Sequence, residues 1–317
     1  MDNEYKYMVA TLCKTYNHAQ YIEETLNGFA MQQTSFPCVY IVIDDASTDG
    51  EPEVLHDWAN NNLEFTETTY QIHPFGGRYV AQLKSNLLSL FVIILLTENH
   101  HGKKSKLPYF GEWYNDAKYH AICEGDDYWI NPQKLQTQVE YLNNHKEVGL
   151  VYSEINRYLQ DEDRMEFGFL KTLPIKNTHV DFVLNSWFLA PCTWLWRVEL
   201  EKKKPKLDSK NFFLGDTLML LTFSKYSQLH YMDDKTSVYR VLKTSASHFS
   251  DYKKQMVFQN KNINTRIYFA KDQNIAFRMK FWWKVVRESR PPRKEFFKYG
   301  AIWIKNCLGY FIDLLFH

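Results

Sequence analysis

Apolar and polar positions alternate in blocks along the first half of the chain. Residues 7–13, YMVATLC, form a short apolar run of strand-forming residues. HAQYIEETLNGFAMQQ follows and spaces Ile22, Leu26 and Phe29 at i, i+4 and i+7, on one helical face. Residues 38–43, CVYIVI, are almost continuously apolar, which predicts a strand covered on both faces, as in a parallel sheet. PEVLHDWANN carries Pro52 near the first turn of a second helix. Further strands are predicted at TTYQIH and YHAIC. Beyond the latter, Asn131 can cap and Pro132 can open a helix whose apolar face is Leu135, Val139 and Leu142. VGLVYSE reads as another strand. LLSLFVIILL, residues 87–96, is too short to cross a bilayer and reads as a buried strand or helix. This alternation predicts an open α/β sheet, mostly parallel, that binds ligands at the C-terminal ends of its strands.

From about residue 155 the blocks loosen into polar loops and the segment WFLAPCTWLWRVEL. Residues 251–295 are basic and read as helical. Residues 296–316 are strongly apolar, yet Lys305 sits at their middle, where a charge is costly in hydrocarbon. At about 100° per residue, Lys298, Lys305 and Asp313 share one narrow stripe. Arg287, Arg290, Arg293 and Lys294 lie just upstream, around Pro291 and Pro292. The pattern suits a helix lying in a membrane interface beside anionic lipid, and equally a helix packed on protein.

Composition narrows the classes. The 317 residues can bury the core of one large domain or two small ones. A net charge of +1 gives no bulk field for nucleic acid, so no nucleic-acid partner is expected. Five cysteines lie far apart without a CxxC pair, as buried thiols do in a reducing compartment. The N-terminus has no basic, then apolar, leader, so the expected address is cytoplasmic. The glycines form neither GxGxxG nor GxxxxGK[ST], so a bound phosphate would need another source of positive charge.

AICEGDDYWINP places Asp126 and Asp127 straight after a predicted strand, with Glu124 beside them. Paired carboxylates at a strand end suit a divalent cation. They also suit the start of a helix, where negative charge is favoured. IVIDDASTDG places Asp44 and Asp45 at the end of the second strand, before a run of turn formers. Two strands of one parallel sheet ending this way would bring four carboxylates to one crevice.

TYNHAQYIEETL with IDDASTDG, followed by CEGDDYWINPQKLQTQVEYL, resembles the family 2 glycosyltransferases of GT-A fold, in particular bacterial enzymes of surface-polysaccharide assembly. The resemblance extends over roughly residues 7–250 and is strongest before 152. It implies that Tyr16 lies against a nucleotide base, that Asp45 hydrogen-bonds the base and that Asp44 supports the loop. It implies that Asp126 and Asp127 hold Mn2+ or Mg2+ on the diphosphate, with Asp126 toward the ribose. FFLGDTLMLL resembles the segment carrying the general base, which puts Asp216 in that role; as a bare sequence the position equally suits a helix cap. VYRVLKTSASHFS resembles the segment closing over the site, with Tyr239, Arg240, Ser247 and His248 in it. Trp194, Arg240 and His248 are the candidate acceptor or diphosphate contacts. ENHHGKKSK resembles the loop over the phosphates, making Lys103 and Lys104 candidate diphosphate partners. Residues 70–110 depart from the family pattern, being longer and more apolar.

The resulting expectation is a GT-A catalytic domain over 1–250, with a nucleotide-sugar half (1–152) and an acceptor half (153–250), then a helical extension over 251–317. The implied reaction is metal-dependent, inverting transfer from a nucleotide-diphosphate sugar, most simply a UDP-sugar, to a glycan or lipid-linked acceptor. Residues 296–316 would supply peripheral membrane contact at the inner face. The competing expectation is a non-catalytic nucleotide-sugar or glycan-binding protein on the same fold.

Overall fold

The computed structural model describes residues 5–185, 189–243 and 252–291, together with 300, 301, 303–309 and 312. The chain divides into two units. One comprises Met1–Pro174, Leu189–Glu199 and Leu229–Val241; the other comprises Ile175–Phe188, Leu200–Gln228 and Leu242–His317.

The first unit begins with β1 (Tyr7–Thr15), α1 (Ile22–Ala30), β2 (Cys38–Asp44) and α2 (Glu51–Asn62). It continues through β3 (Tyr70–His73), β4 (Gly76–Leu83), β5 (Asn86–Leu96), α3 (Leu107–Tyr114), β6 (Ala117–Ile122) and β7 (Tyr128–Trp129). It closes with α4 (Lys134–Asn144), β8 (Val148–Leu159), β9 (Arg164–Phe167), β10 (Leu195–Arg197) and β11 (Gln228–Val241). The strands form one sheet in the order β3-β4-β5-β2-β1-β6-β10-β8-β11-β7, with β9 on β8. Its centre, β5-β2-β1-β6, is parallel throughout. Six further pairings, β3–β4, β4–β5, β6–β10, β10–β8, β8–β9 and β11–β7, are antiparallel. This is the expected GT-A-like α/β sheet with helices around it, but it is mixed and not mostly parallel, because antiparallel strands widen it on both sides of the parallel centre.

Burial on both faces explains the unbroken apolar runs of the central strands. One face sends Ala10, Leu12, Val39, Ile41, Ile43, Val92 and Ile94 against Phe110 and Tyr114 of α3. The alternate positions carry an aromatic ladder. Tyr40 stacks between Phe29 of α1 and Phe91 of β5, at centroid distances of 5.4 and 4.9 Å, and Trp58 of α2 meets Phe91 at 5.0 Å. Strand alternation thus sorts aliphatic from aromatic packing.

The unusual 70–110 region widens the sheet. Residues 87–96 settle as β5, parallel to β2, and β4 returns against it with Val80 opposite Val92. The β3–β4 turn depends on Gly76, whose φ of 136° is rare for side-chain-bearing residues. A Cβ there would also lie 1.8 Å from the Leu95 carbonyl oxygen.

The second unit holds α5 (His179–Asn185), α6 (Asp216–Tyr226), α7 (Tyr252–Ala270) and α8 (Ile275–Glu288), so the helical expectation for 251–295 holds over α7 and α8. Buried Arg266 of α7 donates to the Val183 and Leu184 carbonyls at the end of α5 and pairs with Glu288 at 2.8 Å. A cation there satisfies carbonyls that the helix itself leaves open. Residues 303–309 are helical and Lys305 is exposed. Arg293, Lys294, Lys298 and Asp313 lie outside the described residues. Among the described residues no helix is long and apolar enough to cross a membrane.

One buried charge stands out in the first unit. Lys134, in the first turn of α4, has no exposed surface; its ammonium donates to Gln138 Oε1 at 2.9 Å and lies 4.3 Å from the Trp129 ring. Burial pushes its pKa down to about 7, opposed by the neighbouring thiols of Cys123 and Cys192. Because the folded value lies below the unfolded lysine range, the cost to stability is full below pH 7 and fades as pH rises toward about 10. Lys134→Met should therefore stabilise the fold most at acid pH, by up to about 5 kcal/mol, with the gain shrinking on the alkaline side. Denaturant melts of both proteins at pH 6 and pH 9.5 test this; an equal difference at the two pH values would rule out lysine protonation as its source.

Candidate active site at the carboxyl ends of the central strands

The four parallel strands all end on one side of the sheet, so the loops after β5, β2, β1 and β6 stand in a row. Register keeps three of them level, with Thr15 beside Asp44 and Asp44 beside Leu95. Three strand spacings separate the outer two loops, about 14 Å.

The β1 and β2 loops are laced together. Asn17 donates its amide to Ser47 Oγ at 2.8 Å and accepts from the Thr48 amide at 2.9 Å, while Asp49 accepts from the Ala19 amide at 3.0 Å. Glu51, fully buried at the start of α2, accepts from the His18 amide at 2.9 Å and from the Thr15 hydroxyl. The Ser47 hydroxyl lies between two carboxylates, 2.8 Å from Glu51 and in short contact with Asp44. Burial lifts the Asp44 pKa to about 6, against the pull of the Ser47 hydrogen bonds, and Glu51 adds to the rise. This network holds Ala46 at φ 64°, a backbone conformation uncommon for alanine. Tyr16 stands beside it, 45% exposed.

Asp45 faces the β5 loop. Its Oδ1 accepts the His100 amide at 2.8 Å, its Oδ2 meets the Lys106 ammonium at 2.8 Å, and its carbonyl accepts from Asn99 at 3.1 Å. Burial works to raise its pKa, but Lys106 and the His100 amide outweigh it and hold the carboxyl below the usual range. Lys106 is thus the lysine tied to the site. Lys103 donates to the Asn99 carbonyl and Lys104 pairs with Glu98, both exposed on the same loop. That loop is three strands away from the acidic loop after β6, whereas the sequence expectation gave these two lysines a diphosphate held by that acidic loop.

The acidic loop is fitted closely against β1. A Cβ on Gly125 would lie 2.1 Å from Thr15 Oγ1, so only glycine allows this approach. Thr25 of α1 donates to the carbonyls of Gly125 and Asp127. The three carboxylates then divide. Glu124 is exposed and Asp126 half-buried. Asp127 is 5% exposed, with Oδ1 on the Arg240 amide at 2.9 Å. Burial first, then the Asp126 charge, push its pKa well up. The side chain of Asp127, which the resemblance gives to a metal ion on the diphosphate, is thus internal.

Arg240 also differs from the picture of a residue waiting for a ligand. It is 3% exposed at the end of β11, and its Nε donates to the Asp126 carbonyl at 2.9 Å. Its other nitrogens reach Gln160 and Glu24, and the guanidinium lies 4.5 to 5.4 Å from the rings of Tyr21, Tyr158 and Tyr128. Trp194 is 1% exposed, so its ring is core and presents no surface to an acceptor. Ser247 and His248 lie outside the described residues.

In the second unit, Asp216 is the first residue of α6; Gly215 is the cap, so the capping alternative does not fit. Its Oδ1 accepts the Thr217 amide at 2.7 Å, and burial raises its pKa above the usual carboxylate value despite that bond. The carboxyl is half-buried.

Sequence reasoning missed Lys106, Glu51 and the separate status of Glu124. Glu51 had a signal, an acid at the first position of a predicted helix. Lys106 had none, since it is the third lysine in a loop that reads as solvated.

Among the described residues no group of three or more His, Cys, Asp or Glu side chains could hold a metal ion by itself. Glu124 and Asp126 offer hard oxygen donors, as Mn2+ or Mg2+ prefers, but too few for a closed site; phosphate oxygens of a ligand would complete the set.

Comparison with known proteins agrees with this architecture. The model of the family described as glycosyl transferase family 2 matches residues 12–73. Uncharacterized proteins of Mycobacterium tuberculosis (strain ATCC 25618 / H37Rv) and Mycobacterium bovis are each 34% identical over 150 residues, 46% of this chain. The matched stretch is only 35% of the length of those relatives. The structure of S. aureus TarS 1-349 in complex with UDP-GlcNAc gives a TM-score of 0.60 at 15% identity, covering 96% of this chain and 81% of that one. Its complex with UDP gives 0.50 at 18% identity, covering 91% and 74%. At such identities the likeness is one of fold. The chain carries a family 2 glycosyltransferase match at its first two strands, on the mixed α/β fold of a nucleotide-sugar-bound structure.

Proposed function

We propose that the protein is an inverting glycosyltransferase, moving a sugar from a nucleoside-diphosphate donor, most simply a UDP-sugar, to a glycan or lipid-linked hydroxyl in surface-polysaccharide synthesis at the inner membrane face. The observation that carries the reading is the row of strand-end loops, with the Asp45–Lys106 pair, Tyr16 and the Glu124/Asp126 carboxylates in order along about 14 Å. That span suits a nucleoside diphosphate laid across the strand ends.

Each group then has a task. The exposed Tyr16 ring covers the base. Asp45 accepts from a ring N–H and Lys106 donates to a ring carbonyl, a pairing that a uracil edge satisfies; the carboxylate oxygens have lone pairs left for it. Asp44 holds the loop. Asp126, with Glu124, faces the diphosphate through Mn2+ or Mg2+, which would neutralise the departing charge. Asp127 and Arg240 position that loop from inside. Asp216 takes the proton of the acceptor hydroxyl while its oxygen bonds the anomeric carbon and the carbon–diphosphate bond breaks on the opposite face, which inverts the centre. A domain boundary near 250 would assign α7 and α8 to a helical extension.

Two substitutions at the acidic loop separate ligand contact from support. Asp126→Ala should weaken Mn2+-dependent UDP binding at least tenfold with little change in melting temperature. Asp127→Ala leaves the Arg240 amide without its acceptor and should lower stability by about 1–3 kcal/mol. Calorimetry with UDP, with and without Mn2+, alongside thermal melts, distinguishes them; unchanged metal-dependent affinity in Asp126→Ala removes that residue from the donor site.

The base is tested by Asp216→Asn, which keeps shape but cannot take a proton. Transfer should fall about 10²–10⁴-fold while UDP affinity stays unchanged. Full transfer by the variant would exclude Asp216 as base. Donor binding without transfer or donor hydrolysis by the parent, across a panel of acceptors, would favour the non-catalytic binding protein instead.

A further inference from the structure

Two apolar stripes on the second unit face solvent. On α8, Ile275, Met279 and Trp283 follow one another at i, i+4 and i+8; in the last helical segment Ile304, Leu308 and Ile312 do the same. All six are between 41% and 60% exposed, where a soluble helix would carry polar residues. The two segments are packed together. The Trp303 indole N–H donates to the Val286 carbonyl at 2.9 Å, and Gly309 lies so close to the Trp282 ring that a Cβ would sit 2.8 Å from it. Contacts run from 303 with 286 to 309 with 282, so the segments are antiparallel.

Charge decides what these stripes meet. Exposed Lys280 and Arg287 border the stripe of α8, and exposed Lys305 borders the other. The sole acid of α8, Glu288, lies 2.8 Å from Arg266. A second copy placed on the same patch about a two-fold axis would set these cations against their own kind. A bilayer with anionic headgroups supplies the opposite charge and an apolar layer beneath it, and an indole is at home at that boundary.

We propose that α8 and the helical residues 303–309 with Ile312 form a docking surface for an anionic lipid bilayer, lying in its interface without crossing it. This moves the membrane contact beyond residues 296–316 to include Ile275, Met279 and Trp283. It rests on the proposed function only for its purpose, a lipid-linked acceptor. Vesicle binding requires no donor, so transfer can fail while docking stands, and the reverse.

The test is co-sedimentation of the full chain with vesicles of phosphatidylcholine alone and of phosphatidylcholine mixed equally with phosphatidylglycerol. Each cation near such a surface contributes about fivefold in partitioning, so the mixed vesicles should bind at least tenfold better. Met279→Asp with Trp283→Asp should reduce that binding more than tenfold while UDP affinity and the circular dichroism spectrum stay unchanged. Lys280→Glu with Arg287→Glu should remove the preference for phosphatidylglycerol, and this pair tests the surface even if the first fails to fold. Failure of the parent to bind mixed vesicles, or parental binding by both double variants, overturns the proposal. So does a parent dimer in sedimentation velocity that Met279→Asp/Trp283→Asp dissociates, since the patch would then belong to a second copy.

Discussion

Mutual repulsion of carboxylates is the constraint around which this molecule is arranged. Asp44, Asp45, Glu51, Glu124, Asp126 and Asp127 all stand at or just beyond the ends of neighbouring strands. Such a group persists only if each member is given a donor, a proton or solvent. Asp45 has Lys106 and a backbone amide, Asp44 has the Ser47 amide and hydroxyl, and Glu124 is exposed. Asp127 is buried against the amide of Arg240. Of these six, Glu124 is the exposed one and Asp126 is half-buried.

Arg240 makes that sorting durable. Its main chain takes up the carboxylate of Asp127, and its side chain takes up the carbonyl of Asp126 and the carboxylate of Glu24. Tyrosines on three sides exclude water from the guanidinium, which strengthens these bonds over what they would be at the surface. The acidic loop is thereby braced from within by an arginine, alongside main-chain hydrogen bonds from Gly125 to Lys14 and from Asp127 to Glu124.

How much of this was legible in the sequence follows from range. The central strands were readable because burial on both faces leaves a local mark, an unbroken apolar run such as CVYIVI. Helix α4 was readable from Leu135, Val139 and Leu142, all of which are buried. Strands β4, β10 and β11 were not, because their antiparallel pairing is decided by partners distant in sequence. The site shows the same split. Asp44, Asp45, Asp126 and Asp127 advertise themselves as pairs, but which of them faces a ligand depends on Arg240 and Lys106, which no spacing rule connects to them. The burial of Asp127 and Trp194 was illegible for that reason, since burial is a property of the assembled sheet.

The Arg240 tie also has a bearing on folding. The groups it joins are separated by 113 residues from Asp127, 114 from Asp126 and 216 from Glu24. Contacts of such sequence separation bear a large loop-closure entropy and form after local structure. The parallel heart of the sheet, by contrast, lies within the first 122 residues. During synthesis that heart can assemble while β11 is still within the ribosome. The acidic loop gains its brace only when the strand carrying Arg240 arrives, after the parallel sheet that it stands on.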